Sequence, residues 1–125
     1  MRTFKLTVPG PFPCLNDVIA AAKGHGGRGY GYSKMKAIWT EKVAWHVKAA
    51  RIPLLGRVRL TFLWVEKDRR RDPDGVAAAG RKFLLDGFVV AKMLVNDGWK
   101  QIAGWTDAFE VGQPARVEVT IEEVT

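Results

Sequence analysis

The stretch RVRLTFLWVEKDRRRDPDGVAAAGRKFLLDGFVVA, residues 57–91, decides the fold. It opens with strict alternation. Val58, Leu60, Phe62 and Trp64 fall on one face, and Arg57, Arg59, Thr61 and Leu63 on the other. A period of two in β-branched and aromatic residues predicts a strand over Arg57–Glu66 with one buried face. A charged run follows and ends at Pro73, a residue suited to the first helical position because its missing N–H has no helical partner there. Beyond it the spacing turns helical. The pattern predicts a helix to about residue 91, burying Val76, Gly80, Phe83, Leu84, Gly87 and Ala91, with Leu94 continuing the same side. The small residues Ala77, Ala78, Ala79 and Gly80 permit close approach to a neighbour.

Downstream, Asn96-Asp97-Gly98 is a turn signal. Residues 100–109 read as an irregular strand, and Arg116–Val124 as an amphipathic strand with Val117, Val119 and Ile121 facing inward. Upstream, Phe4, Leu6 and Val8 alternate with polar residues in a first strand, which the prolines at positions 9, 11 and 13 must end. Residues 16–23 read as a short helix and 24–32, GHGGRGYGY, as a flexible glycine-rich loop. Ser33 is an N-cap candidate for a helix to about residue 50, with Ile38, Trp39, Val43, His46, Val47 and Ala50 in its apolar stripe. His46 reads as a core histidine, and the tryptophans read as core except Trp99 and Trp105, which sit close to Asp97 and are placed to wall a site there. The order β-α-β-α-β-β predicts an α+β fold. Its small mixed or antiparallel sheet has about four strands, with two main helices on one face.

The chain has 125 residues, which predicts a single domain spanning 1–125. No apolar run approaches the roughly 18 residues of a membrane span. The first residues lack the apolar core of a signal peptide, and the one cysteine, Cys14, has no internal partner, so a cytoplasmic protein is expected. One Cys and two His argue against zinc. The formal net charge is +7, which favours a polyanionic partner. The distribution of charge is more informative than the total. Residues 1–71 carry 15 Lys+Arg against 4 Asp+Glu, whereas residues 72–125 carry 5 against 9. The sign changes within Lys67-Asp68-Arg69-Arg70-Arg71-Asp72-Pro73-Asp74. A basic surface beside an acidic cluster suits a metal-dependent nuclease, with cations on phosphates and acids on the metal.

Asp72 and Asp74 stand two apart at a strand-to-helix junction, and Pro73 drives Asp72 towards extended backbone. Two neighbouring carboxylates repel unless a cation or proton lies between them. Mg²⁺ takes one or two carboxylates together with water and substrate phosphate. The structural alternative is that Asp72 caps the helix and Asp74 complements its dipole. Asp97 alone is equally a routine turn residue. Lys82 stands four before Asp86, an ordinary i,i+4 ion pair.

Taken together, Arg69-Arg70-Arg71-Asp72-Pro73-Asp74, a helix with Lys82 and Asp86, and a closing Asn96-Asp97 resemble the RusA-like Holliday-junction resolvases. The N-terminal strand, its proline-rich turn and Asn16 extend the similarity. The resemblance implies a homodimeric endonuclease that nicks four-way DNA junctions with Mg²⁺, Mn²⁺ being a possible substitute. It implies Asp72, Asp74 and Asp97 as metal ligands and Lys82 as the catalytic lysine. Gly75 departs from the usual asparagine, and Lys82 lies one helical turn further from Asp74 than in the bacterial type member. Arg69, Arg70, Arg71, Arg28, Lys34, Lys36, Lys42 and Lys48 are the candidate phosphate contacts, and Tyr30 and Tyr32 are candidates to stack on exposed bases. The structural alternative for each lysine is a solvated helix face. Other branched DNA, a non-catalytic nucleic-acid-binding module, and a structural phage or ribosome-associated protein are the competing functions.

One geometric constraint follows. A straight helix from Asp74 to Ala91 is ~25 Å long at the α-helical rise. The six steps from there to Asp97 reach at most ~20 Å. For Asp97 to join Asp74, the helix must kink, as at Gly80, or start late. Otherwise Asp97 must come from a second subunit.

Overall fold

The computed structural model describes residues 1–27 and 30–124, with the backbone alone for residues 25–27 and 30. The elements run β1 (Thr3–Pro9), α1 (Leu15–Gly27), α2 (Tyr30–Ala49), β2 (Arg57–Glu66), α3 (Pro73–Val90), β3 (Ile102–Val111) and β4 (Arg116–Val124). The fold is α+β. Its four strands lie in the order β1-β4-β2-β3, so sequence neighbours are not all sheet neighbours. β4 is antiparallel to both β1 and β2, and β2 is parallel to β3, which makes the sheet mixed. α3 is the crossover between the two parallel strands, since a parallel pair needs a long return connection.

Register explains where the core sits. Leu60 pairs with Ile121, Phe62 with Val119 and Trp64 with Val117, so the inward residues of β2 and β4 meet on one face. Leu6 and Val8 of β1 extend that face, and all of these are buried. Val76, Ala77, Phe83, Leu84 and Phe88 of α3 pack with them in one cluster, which also takes in Val43 and Val47 of α2. Burial of this apolar area is the dominant favourable contribution to folding. Gly80 lets α3 lie this close, because a Cβ there would stand 2.5 Å from Trp64 Cζ3.

α3 keeps the expected limits. Asp72 is its N-cap residue, Pro73 follows, and Ala91 is its C-cap. Lys92 then adopts φ 62°. Its N–H donates to Val89 O and that of Met93 to Phe88 O, the paired bonds of a Schellman ending.

The N-terminal half differs from expectation. The short helix expected over 16–23 forms as the longer α1, so the order is β-α-α-β-α-β-β rather than β-α-β-α-β-β. The expected loop over 24–32 is helical through Gly27 and again from Tyr30, so Ser33 lies inside α2 and does not cap it. Tertiary packing overrides the low helix propensity of glycine here. Gly31 itself carries the contact, since a Cβ on it would stand 2.9 Å from Ala21 O of α1. The stripe of α2 is also rotated from the expected one. Val43, Ala44 and Val47 are buried, whereas Ile38 and Trp45 are exposed, so Trp45 is no core residue. Ala50 lies exposed beyond the end of the helix. His46 is half-buried, with Nδ1 2.9 Å from Lys42 O. No described helix is long and apolar enough to cross a membrane.

Candidate metal centre and nucleic-acid interface

The turn between β2 and α3 is anchored by Arg71. Its Nε and Nη2 donate to Glu66 Oε1 and Oε2 at 2.8 and 3.1 Å, and Nη1 donates to Phe12 O at 2.7 Å. Asp17 of α1 lies 3.5 Å from Nη1. The hydrogen bonds to Glu66 raise the guanidinium pKa, burial opposes them, and the nearby negative charges add to the rise. Arg71, expected as a phosphate contact, is thus committed inside the fold. It ties the strand end, the proline-rich segment and α1 together.

This anchoring presents Asp72 and Asp74. Asp72 is extended, with φ −69° and ψ 136°, and its carboxylate makes no capping hydrogen bond. The Asp72 carbonyl only accepts the first intrahelical bond, from Val76 N–H. Asp74 lies in the first turn of α3. Both aspartates are exposed. They line a small cleft of about 170 Å³ with Cys14, Leu15, Asn16 and Gly75. The opposite wall is the start of α1, where Cys14 N–H donates to Asp17 Oδ2 at 2.9 Å. Two helix N-termini therefore flank the pair, and their partial positive charge eases the repulsion between the carboxylates. A Cβ on Gly75 would make ordinary contacts, the nearest 3.6 Å from Leu15 Cβ, so packing does not exclude the asparagine usual in RusA-like sequences.

Asp97 belongs elsewhere. Its turn is closed by Gly98 N–H donating to Asn96 Oδ1 at 2.8 Å. Half-buried, it lines a cleft of about 390 Å³ with Gly98, Trp99, Ile102, Ala103, Gly104 and Trp105. Its charge acts on Lys82. The Lys82 ammonium is held above the ordinary lysine pKa chiefly by its hydrogen bond to Asp86. Burial opposes this, while the charges of Asp86, Asp97 and Tyr32 add to it. Lys82 Nζ donates to Asp86 Oδ1 at 3.1 Å, and Lys36 Nζ approaches Asp86 Oδ2 at 3.6 Å. Asp86 is thus the structural partner of two lysines.

Asp72 and Asp74 thus line one cleft and Asp97 another. Helix α3 is unbroken from Pro73 to Val90, so no kink brings Asp97 back to its start. Among the described residues no group of three or more His, Cys, Asp or Glu side chains stands close enough to hold a metal ion. Asp72 and Asp74, exposed and without a side-chain partner among the described residues, match the one or two carboxylates that a hydrated Mg²⁺ uses.

Arg69 and Arg70 are exposed beside the aspartate pair. The Arg70 side chain is 86% exposed, with Nε 3.6 Å from Asp68 Oδ2. Lys34 and Lys48 are exposed on α2. Lys42 Nζ lies 4.5 Å from the centre of the Trp39 ring. Arg28 lies outside the described residues, as does the side chain of Tyr30, whereas Tyr32 packs against the core. Sequence reading missed the roles of Cys14, Leu15 and Asp17, because nothing local to residues 14–17 signals contact with residues 71–75. It also missed Arg81, which donates to both carboxylate oxygens of Asp107 and lies 4.7 Å from the Trp105 ring centre. No protein-family model matches the chain, and no curated protein matches it.

Proposed function

We propose that the protein is a Mg²⁺-dependent, structure-selective endodeoxyribonuclease of the RusA-like type, acting on branched DNA and above all on four-way junctions. One observation carries this reading. Asp72 occupies a helix-cap position without using its carboxylate as a cap, and it shares a cleft with Asp74, which has no side-chain partner among the described residues. Among the described residues, Asp17, Glu66, Asp68, Asp86, Asp107, Glu118 and Glu123 are by contrast engaged in hydrogen bonds or ion pairs.

The pair would hold Mg²⁺, with Mn²⁺ as a substitute, and the bound ion would supply an activated water and charge neutralisation at the scissile phosphate. Arg69 and Arg70 hold the DNA backbone next to the cleft, and Lys34 and Lys48 extend the basic surface along α2. Lys82, kept cationic by Asp86, offsets negative charge on the phosphate in the transition state. The third carboxylate, Asp97, is supplied by a second copy of the chain. A two-fold dimer then has two such sites, as paired cuts across a symmetric junction require. The free Cys14 and a DNA substrate favour the cytoplasm as its compartment.

The test is nicking of a synthetic four-way junction in Mg²⁺. Asp74→Asn should lower the rate at least about 100-fold, while binding in EDTA persists. Unchanged nicking by that variant contradicts the proposal. A non-catalytic nucleic-acid-binding module is the second reading, favoured by the separation of Asp97 from the pair. It predicts junction binding with no metal-dependent nicking at all.

A further inference from the structure

Trp99 and Trp105 are 94% and 48% exposed, and both line the same cleft. An indole with that much exposure contributes little to the core and incurs a hydration cost, so it points to a ligand. The cleft, at about 390 Å³, lies in the ~300–1,000 Å³ range of small-ligand sites. Its walls are apolar apart from one carboxylate, Asp97. The Trp105 ring is held from one side by the Arg81 guanidinium, which Asp107 in turn fixes through two hydrogen bonds. The ring is therefore pre-set rather than mobile. Lys100 follows Trp99 directly and is exposed, in a chain of formal net charge +7.

Flat exposed aromatics, an apolar cleft and the exposed ammonium of Lys100 beside Trp99 suit a ligand that is itself flat and aromatic and carries phosphates at its edge. We infer that the Trp99–Trp105 cleft receives an unpaired nucleobase of DNA. Stacking on indoles is tolerant of base identity, as a branch-point reader requires, and phosphates flanking the base meet Lys100. This inference rests on the proposed action on branched DNA and specifies its recognition element. It takes over the stacking role that the sequence suggested for Tyr32, a residue now packed against the core.

The experiment measures equilibrium binding in EDTA, where no cleavage occurs, to two labelled duplexes. One is perfectly paired and the other carries a single unpaired cytosine. The wild type should prefer the second by roughly tenfold. Trp99→Ala should abolish the preference and leave affinity for the perfect duplex unchanged, and Trp99→Phe should restore most of it. Because Trp99 is almost fully exposed, its loss leaves the fold intact. Equal affinity of the wild type for both duplexes overturns the inference, as does a preference that survives Trp99→Ala. So does a Trp99→Ala variant whose main change is a lower sedimentation mass, which marks the cleft as a contact between copies. The nuclease reading is scored separately by Mg²⁺-dependent nicking in Asp74→Asn, so either can fail alone.

Discussion

Charged side chains in this protein divide into those that hold the fold and those left to meet a ligand. Arg71 is in the first group. Arg71→Ala removes three hydrogen bonds and strands Glu66 at the strand end. Charge-assisted bonds of this kind are worth more than neutral ones, though partial exposure screens them, so a loss of about 1–2 kcal/mol is expected. Urea melts would measure it, and an unchanged midpoint would contradict the anchoring role. Lys82 spans both groups. Its folded pKa is raised above the ordinary lysine value, first by the bond to Asp86. The stabilisation it gives is thus fully present below the unfolded value and fades only as pH rises through the higher folded one. Near neutrality Lys82 is a fixed cation and no general base. Lys82→Met should slow nicking by about 100-fold, with Lys82→Arg retaining much of the rate. The wild-type pH–rate profile should show no lysine limb below the ordinary lysine pKa. A Lys82→Met enzyme of full activity would contradict this role.

Elements were legible where one pattern dominated. The alternation in β2 and β4 and the helical stripe of α3 fixed both type and burial, because each element buries a single face against the same core. The glycine-rich stretch 24–32 misled, since it is helical through Gly27 and again from Tyr30, and Gly31 lies where a Cβ would stand 2.9 Å from Ala21 O. The ending of α3 offers a test at this scale. Lys92 has φ 62°, a left-handed conformation that a side chain disfavours by roughly 1 kcal/mol. Lys92→Gly should therefore stabilise the protein by about 0.5–1 kcal/mol, raising the thermal midpoint. A lowered midpoint would mean that the lysine side chain has a role the backbone does not reveal. Asp72 was the ambiguous residue at the other end of the same helix. Its spacing fits both a cap and a metal ligand, and only its unused carboxylate separates the two.

At the scale of the molecule, the sequence carried the charge asymmetry and the identity of the candidate acids but not their grouping. α3 is unbroken, and Asp97 lines a different cleft from Asp72 and Asp74. The account therefore turns on a second subunit. Asp74→Asn and Asp97→Asn proteins, each inactive alone, should be mixed, allowed to exchange subunits and assayed for junction nicking in Mg²⁺. If sites are shared between subunits, each mixed dimer has one site with both lesions and one intact. Free exchange then restores about a quarter of the wild-type sites, read as single-strand nicks. If the mixture stays as inactive as its components although subunits exchange, the shared metal site is contradicted.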